Sequence, residues 1–301
     1  MQNKGIQHII PRFYLEYFCH NTTNNVTVYS KKKVLRQSTP YKIAKQRKFY
    51  SLEKVPEYHK DLADEILTII ENGIKETHQQ LVECDLNITP VKKINYATFV
   101  WFLFCRTRTF REITKERYFK KVNKMIGELA NDKVKFSEVL KIKFTEKDIE
   151  KVRVIALNNK IHEHVKMEID KDTLIYAMAT TSSNKKSIDI LSNMKWTIII
   201  TTQKYPFIAS DHPVAIFNSK NNLDLSQQDA NITMPLSNKM CLMLSWQSSL
   251  SIIHPYNVRN HSQIVTNINK RTLDWAYEEA YVGLTNEFTQ DLLNEFGFII
   301  Q

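Results

Sequence analysis

The chain has 301 residues, 43% hydrophobic and 25% charged, with a net charge of +10. This is the balance of a globular protein with a substantial core. No apolar leader follows Met1, and the longest apolar run, Phe99–Cys105, is too short to span a bilayer. The expectation is a cytoplasmic protein with no membrane partner. The four cysteines, Cys19, Cys84, Cys105 and Cys241, are scattered without a C-x-x-C pair. They indicate neither a zinc site nor a disulfide framework.

The positive charge is concentrated. Lys31 to Lys54 holds nine Lys/Arg against Glu53, and Arg106 to Lys124 holds eight against Glu112 and Glu116. Such windows attract phosphate backbones by releasing counterions, or form solvated faces.

In chain order, His8 precedes a short helix opened by Pro11, with Tyr14, Leu15 and Phe18 at helical spacing. Val26–Tyr29 reads as a strand, and Lys31 to Gln46 as basic and mostly irregular. His59 to Glu83 carries a helical stripe at Leu62, Ile66, Ile69, Ile70 and Ile74. Asn95 to about Asn131 is one long helix or two consecutive ones. Two more helices follow, Glu146 to about Val165 and Asp172 to Leu191.

The period then changes. Trp196–Thr202, Phe207–Ala209, Val214–Phe217, Ile232–Leu236 and Met240–Trp246 predict an antiparallel meander. Phe207–Ala209 and Val214–Phe217 flank a polar turn, Ser210-Asp211-His212-Pro213. Helices over about Asn260–Tyr281 and Asn286–Glu295 close the chain. The expected fold is α+β, in one domain over 1–301. A helical region (about 58–192) packs on a mostly antiparallel C-terminal sheet (about 194–255), which an N-terminal hairpin joins, and the closing helices span about 260–295.

His8-x-x-Pro11-Arg12-Phe13-Tyr14-Leu15-x-x-Phe18 resembles the opening signature of the domain of unknown function 4238 family. Phe49-Tyr50-Ser51, Arg108-Thr109, Phe207-x-x-Ser210-Asp211-x-Pro213, Pro235-Leu236-Ser237 and Asn267 extend the resemblance over almost the whole chain. Phe110 stands where the family often has proline. The resemblance implies no activity; it supports the fold and selects residues.

The selected residues have chemistry and bland alternatives. Asp211 is a base or a ligand for a divalent metal, or its carboxylate accepts backbone N–H bonds before Pro213. His8 is its acid/base partner, or a structural histidine. Arg108 completes the expected catalytic set, holding a phosphate or sitting in a salt bridge with Glu65 or Glu71. Arg12, Tyr14, Lys45, Arg47, Lys48, Arg106, His212 and Asn267 are the expected substrate contacts. Tyr41, Phe49 and Tyr50, interleaved with Lys42, Lys45, Arg47 and Lys48, either stack bases or anchor the segment to the core.

Together these predict an enzyme that cleaves or modifies nucleic acid, RNA before DNA, in the manner of an effector of a bacterial defence or toxin system. The alternative is a non-catalytic basic module that holds nucleic acid or an acidic partner protein. An enzyme acting on a small phosphorylated ligand uses the same arginines. No P-loop, Rossmann or zincin motif is present.

Overall fold

The computed structural model describes residues 6–20, 22–56, 62–141, 144–158, 160–164, 168–247, 251–256 and 258–299. The fold is α+β, and the chain divides into two compact units. The first takes residues up to Phe110 and from Met178 onward; the second is Arg111–Ala177.

In the first unit, β1 (Ile6–His8), α1 (Arg12–Glu16), β2 (Val26–Ser30), β3 (Arg36–Ser38), a 3-10 turn at Pro40–Lys42 and β4 (Lys45–Arg47) come first. The expected irregular stretch thus contains a strand, a turn and a second strand. β1 and β4 pair antiparallel, with His8 opposite Lys45.

Helix α2 (Leu62–Val82) forms as expected but buries a different face. Leu67, Ile74, Thr77, His78 and Leu81 face the interior, while Ile66 and Ile69 are exposed. Polar partners turn the helix: Glu71 is drawn to Arg106, and His78 lies among Phe13, Tyr14, Tyr17 and Tyr96. Helix α3 (Pro90–Cys105) starts with Thr89 accepting from the Lys92 amide and Pro90 in its first turn. It is apolar almost all round, from Tyr96 to Cys105, and runs through the core. It stops at Arg106, and Thr107 Oγ1 accepts from the Phe110 amide to start α4 (Arg108–Asn131). The region from Asn95 is therefore two helices.

The second unit holds the rest of α4, then α5 (Lys133–Leu140), α6 (Glu146–Leu157), α7 (Ile161–His164) and the first half of α8 (Lys171–Ser182). Ala130, Phe136, Ile149, Ala156 and Ile161 form its small core.

Back in the first unit, α9 (Lys185–Asn193) leads into β5 (Lys195–Ile200), whose β-branched run is buried on both faces. β6 (Ala209–Ser210), β7 (Ala215–Phe217), β8 (Asn231–Pro235), β9 (Met240–Ser245) and β10 (Ile252–Ile253) follow. Helix α10 (His261–Trp275), β11 (Glu279–Val282) and α11 (Glu287–Glu295) complete the order. One sheet runs β10-β5-β9-β8-β7, antiparallel except for β10 beside β5; the other runs β3-β2-β11-β6, antiparallel throughout. The N-terminal hairpin β2–β3 thus joins C-terminal strands, as the sequence predicts.

The single helices expected over Glu146 to about Val165 and Asp172 to Leu191 are each two, α6 with α7 and α8 with α9. Two further expectations change. β6 and β7 are not a hairpin: Ser210-Asp211-His212-Pro213 carries the chain from one sheet to the other. The helix expected to reach Tyr281 ends at Trp275, and strand β11 replaces its last turns. Helix α10 packs between the sheets, with Val265 and Ile268 against Ile199 and Cys241 on one side and Leu273 against Ala280 and Val282 on the other. Gly283 lets β11 pass close to the first helix; a Cβ there would stand 2.2 Å from the Phe18 carbonyl oxygen.

Candidate anion-binding cleft

Asp211 explains where α10 ends. Its Oδ1 accepts from the Tyr277 amide at 2.9 Å, and its Oδ2 from Glu278 at 2.9 Å and Glu279 at 3.1 Å. In a longer helix these amides would bond to carbonyls four residues back. The carboxylate takes them instead, and the chain turns into β11. Burial raises the Asp211 pKa to about 6, against the three N–H groups, so the side chain is an anion at neutral pH. With both oxygens accepting amide bonds, Asp211 ties segments together, which is the second of the two roles expected for it. Among the described residues no cluster of three His, Cys, Asp or Glu could hold a metal ion.

Asn at this position keeps only one acceptor oxygen. Asp211→Asn is expected to leave a buried N–H facing an amide N–H₂ and to cost about 1–3 kcal/mol. Urea unfolding at pH 7 checks this, and an unchanged midpoint would mean that the three bonds contribute nothing.

His212 is fully buried. Its ring lies parallel to Trp275 at 5.0 Å and edge-on to Phe104 at 5.0 Å, and Nδ1 meets the Thr107 hydroxyl. Burial lowers its pKa to about 3, with a Val214 backbone hydrogen bond opposing, so it is neutral. Ser210 donates to the His212 carbonyl at 2.8 Å and accepts from the His212 amide at 3.1 Å. This segment is scaffold rather than a substrate contact.

His8 is half-buried, its ring 6.4 Å from that of Tyr41. Burial lowers its pKa, opposed by a Tyr41 backbone hydrogen bond and aided by Lys45. Nε2 is buried without a hydrogen-bond partner among the described residues. His8 shares no hydrogen bond with Asp211; the carboxylate is filled by amides from Tyr277, Glu278 and Glu279.

The remaining expected residues separate into interior ties, exposed charges and cleft groups. Arg106 is buried, with Nη1 on Glu71, Nη2 on the His8 carbonyl and Nε on the Tyr50 hydroxyl. It, not Arg108, is the arginine that pairs with Glu71. Tyr14 is fully buried and donates to the Pro235 carbonyl at 2.6 Å. Arg12 forms an exposed pair with Glu16 on the same helix. Asn267 is exposed, and Gln263 donates to it. The amide that ties the sheet is two residues on: Asn269 accepts from the Ile208 amide at 3.0 Å and donates to the Pro206 carbonyl at 2.9 Å. Phe49 and Tyr50 are core anchors, while Tyr41, Arg47 and Lys48 are exposed.

Around one face of Asp211 opens a cleft of about 140 Å³. Lys33, Arg36, Lys42, Lys45 and Arg108 bring positive charge to its walls, and Asp211, Glu278 and Glu279 negative charge. Ile9 and Ala44 also line it, the latter at φ +51°. Glu279 is engaged by Arg36 at 2.6 Å and by the Tyr281 hydroxyl at 2.9 Å. Glu278 is different. Lys32, Lys33 and Arg108 stand 3.8, 3.9 and 3.7 Å from it, outside hydrogen-bond distance. Arg108 donates its Nε to Gln46 at 3.0 Å. These cations keep donors that an incoming anion can share.

Sequence reading found Lys45, Arg108 and Asp211 here. It missed Glu278 and Glu279, which it had placed on a helix, and Lys33 and Arg36, which it saw only as charge; Lys42 it had set beside Tyr41 in the basic aromatic segment. The second basic window falls mainly on α4 of the other unit, where Arg117, Lys120, Lys121 and Lys124 are exposed.

The fold and the cleft define an α+β protein with a cationic pocket beside an internally bonded aspartate. The chain belongs to the family described as protein of unknown function DUF4238, matched over residues 6–283. Neither a curated protein nor a solved structure matches it.

Proposed function

We propose that the chain binds nucleic acid, RNA before DNA, through a backbone phosphate seated in this cleft. The supporting observation is Glu278, which holds three cations close without satisfying any of them. A phosphate in the cleft would gain charge-assisted bonds from Lys33, Arg108 and their neighbours. The reading is that of a binding module, because the Asp211 carboxylate has a structural task in holding the Tyr277, Glu278 and Glu279 amides.

Fluorescence anisotropy with a labelled single-stranded RNA, and its DNA counterpart, tests it. Affinity should fall with salt, by a log–log slope of about −0.7 per phosphate contacted on a single strand. Lys33→Glu with Lys42→Glu should weaken binding at least tenfold and flatten that slope. Equal affinity and slope in the doubly reversed protein would remove the cleft from the proposal.

A second reading, cleavage of the bound strand, keeps one support: His8, its pKa lowered by burial, lies opposite the cleft-lining Lys45 on the paired strand. Incubating RNA and plasmid with the protein, with and without Mg²⁺ or Mn²⁺, separates the two. Intact substrates, or equal cutting by His8→Ala, would leave binding alone. The proposal extends to a cytoplasmic setting in bacterial defence or toxicity; no helix among the described residues is long and apolar enough to cross a membrane.

A further inference from the structure

The cleft is too small for a nucleotide. Its volume of about 140 Å³ is near that of an engineered cavity of about 150 Å³ that holds benzene. Pockets that enclose whole ligands run from about 300 Å³ upward. A phosphate with an adjoining sugar oxygen can enter; the base attached to it must stay at the rim.

The rim offers a surface suited to a base. Tyr41 is 60% exposed, between a buried Pro40 and an exposed Lys42. It stands on the 3-10 turn whose next residue, Lys42, lines the cleft. Lys45, another lining residue, holds its ammonium 4.7 Å from the centre of the Tyr41 ring. One flexible cation therefore links the ring to the pocket. The backbone beneath is fixed: Lys42 N–H bonds to the Thr39 carbonyl at 2.9 Å, and Ile9 N–H to the Ala44 carbonyl at 2.7 Å. A rigid, exposed ring beside a phosphate-sized cationic hole is the pairing that single-stranded nucleic-acid sites use, since each base has a face to stack.

We infer that Tyr41 is the base-stacking platform of the site, and that the cleft therefore takes an unpaired nucleotide of a single strand, its phosphate inside and its base on the Tyr41 ring. Lys45 leaves the ring as the base arrives and turns to the phosphate. A paired base has its faces covered by its neighbours in the stack, so duplex is the poorer ligand. This inference rests on the phosphate-binding reading and adds to it the base and the strandedness of the ligand.

The test uses the full chain and two short oligoribonucleotides with the same number of phosphates, one of uridine and one with abasic sugars. Wild type is expected to prefer the uridine oligomer by roughly 5- to 150-fold, from about 1–3 kcal/mol per stacked base. Tyr41→Ala should bring that ratio close to one, and Tyr41→Trp should keep or raise it. Melting curves of both variants report on folding; the Trp protein carries the test if the Ala protein is unstable. Equal binding of the two oligomers by wild type, or an undiminished ratio in a folded Tyr41→Ala protein, would overturn the inference while leaving phosphate binding intact. Absence of binding to either oligomer would instead bring down the phosphate reading and the stacking platform with it.

Discussion

Arg106→Met is expected to destabilise the protein by about 3–5 kcal/mol, the cost of breaking a buried ion pair on one side. The guanidinium is enclosed, with Glu71, the His8 carbonyl and the Tyr50 hydroxyl on its three nitrogens. Tyr50 returns the contact by donating to the Arg106 carbonyl at 2.7 Å, and its ring lies 5.6 Å from the guanidinium. Burial by itself would favour losing the proton; Tyr50 and Glu71 outweigh it and hold the cation. Methionine fills much of the volume but leaves the Glu71 carboxylate and a strand carbonyl without their donor. Lysine keeps the charge and cannot reach three partners at once. Urea unfolding of Arg106→Met, Glu71→Leu and the double variant forms the check. The double variant should recover part of the loss, because it removes the stranded carboxylate as well. A single-variant cost below about 1 kcal/mol would show that the pair does not hold β1 to the helices.

The second large effect is with acid. His78 is enclosed by aromatic rings, with Nδ1 on the Tyr96 hydroxyl at 2.6 Å, and burial lowers its pKa to about 4 against a Leu236 backbone hydrogen bond. His212 falls to about 3 for the same reason. An unfolded histidine titrates near 6.5, so below that pH the unfolded chain binds protons that the folded one refuses. The stability is complete above pH 6.5 and is lost as pH falls toward 4. Asp211 works in the opposite direction: its folded pKa of about 6 exceeds the unfolded value, so it offsets one histidine between about pH 6 and 4. At about 1.4 kcal/mol per unit for each group, the net loss from pH 6.5 to 4 is on the order of 4 kcal/mol. Thermal melts followed by circular dichroism across this range should show a steady fall, and His78→Gln should flatten it. A melting temperature that stays level from pH 7 to 5 would contradict the buried neutral state of both rings.

Local pattern carried much of the architecture. The β-branched run of β5 and the apolar runs of β8 and β9 were readable because these strands are mostly buried. The missing pieces depend on partners far along the chain. Tyr277-Glu278-Glu279 continues a helical pattern, and only an aspartate 66 residues away, bonded to Tyr277, stops it. The polar turn after β6 looks like a hairpin because nothing local says that its two strands pair with different neighbours. Arg106 and Arg108 are alike in sequence; one faces Glu71 and the other the cleft, according to where α3 ends. Asn269 outranks Asn267 for a similar reason, since the buried side of α10 is set by the loop it holds. The candidate site was legible as charge and as Asp211, while Glu278 and Glu279 lay at the start of the strand that was not foreseen.

The four-stranded sheet gathers its members from residues 26–38, 209–210 and 279–282. On the ribosome, β2 and β3 emerge roughly 240 residues before the strand that should lie beside β2, which at about 5–20 residues per second is a wait of roughly 12–50 seconds. During that interval the flank of β2 offers unpaired amides and carbonyls to any passing strand. Newborn molecules, rather than finished ones, are where this protein is most exposed to clumping and most in need of a chaperone.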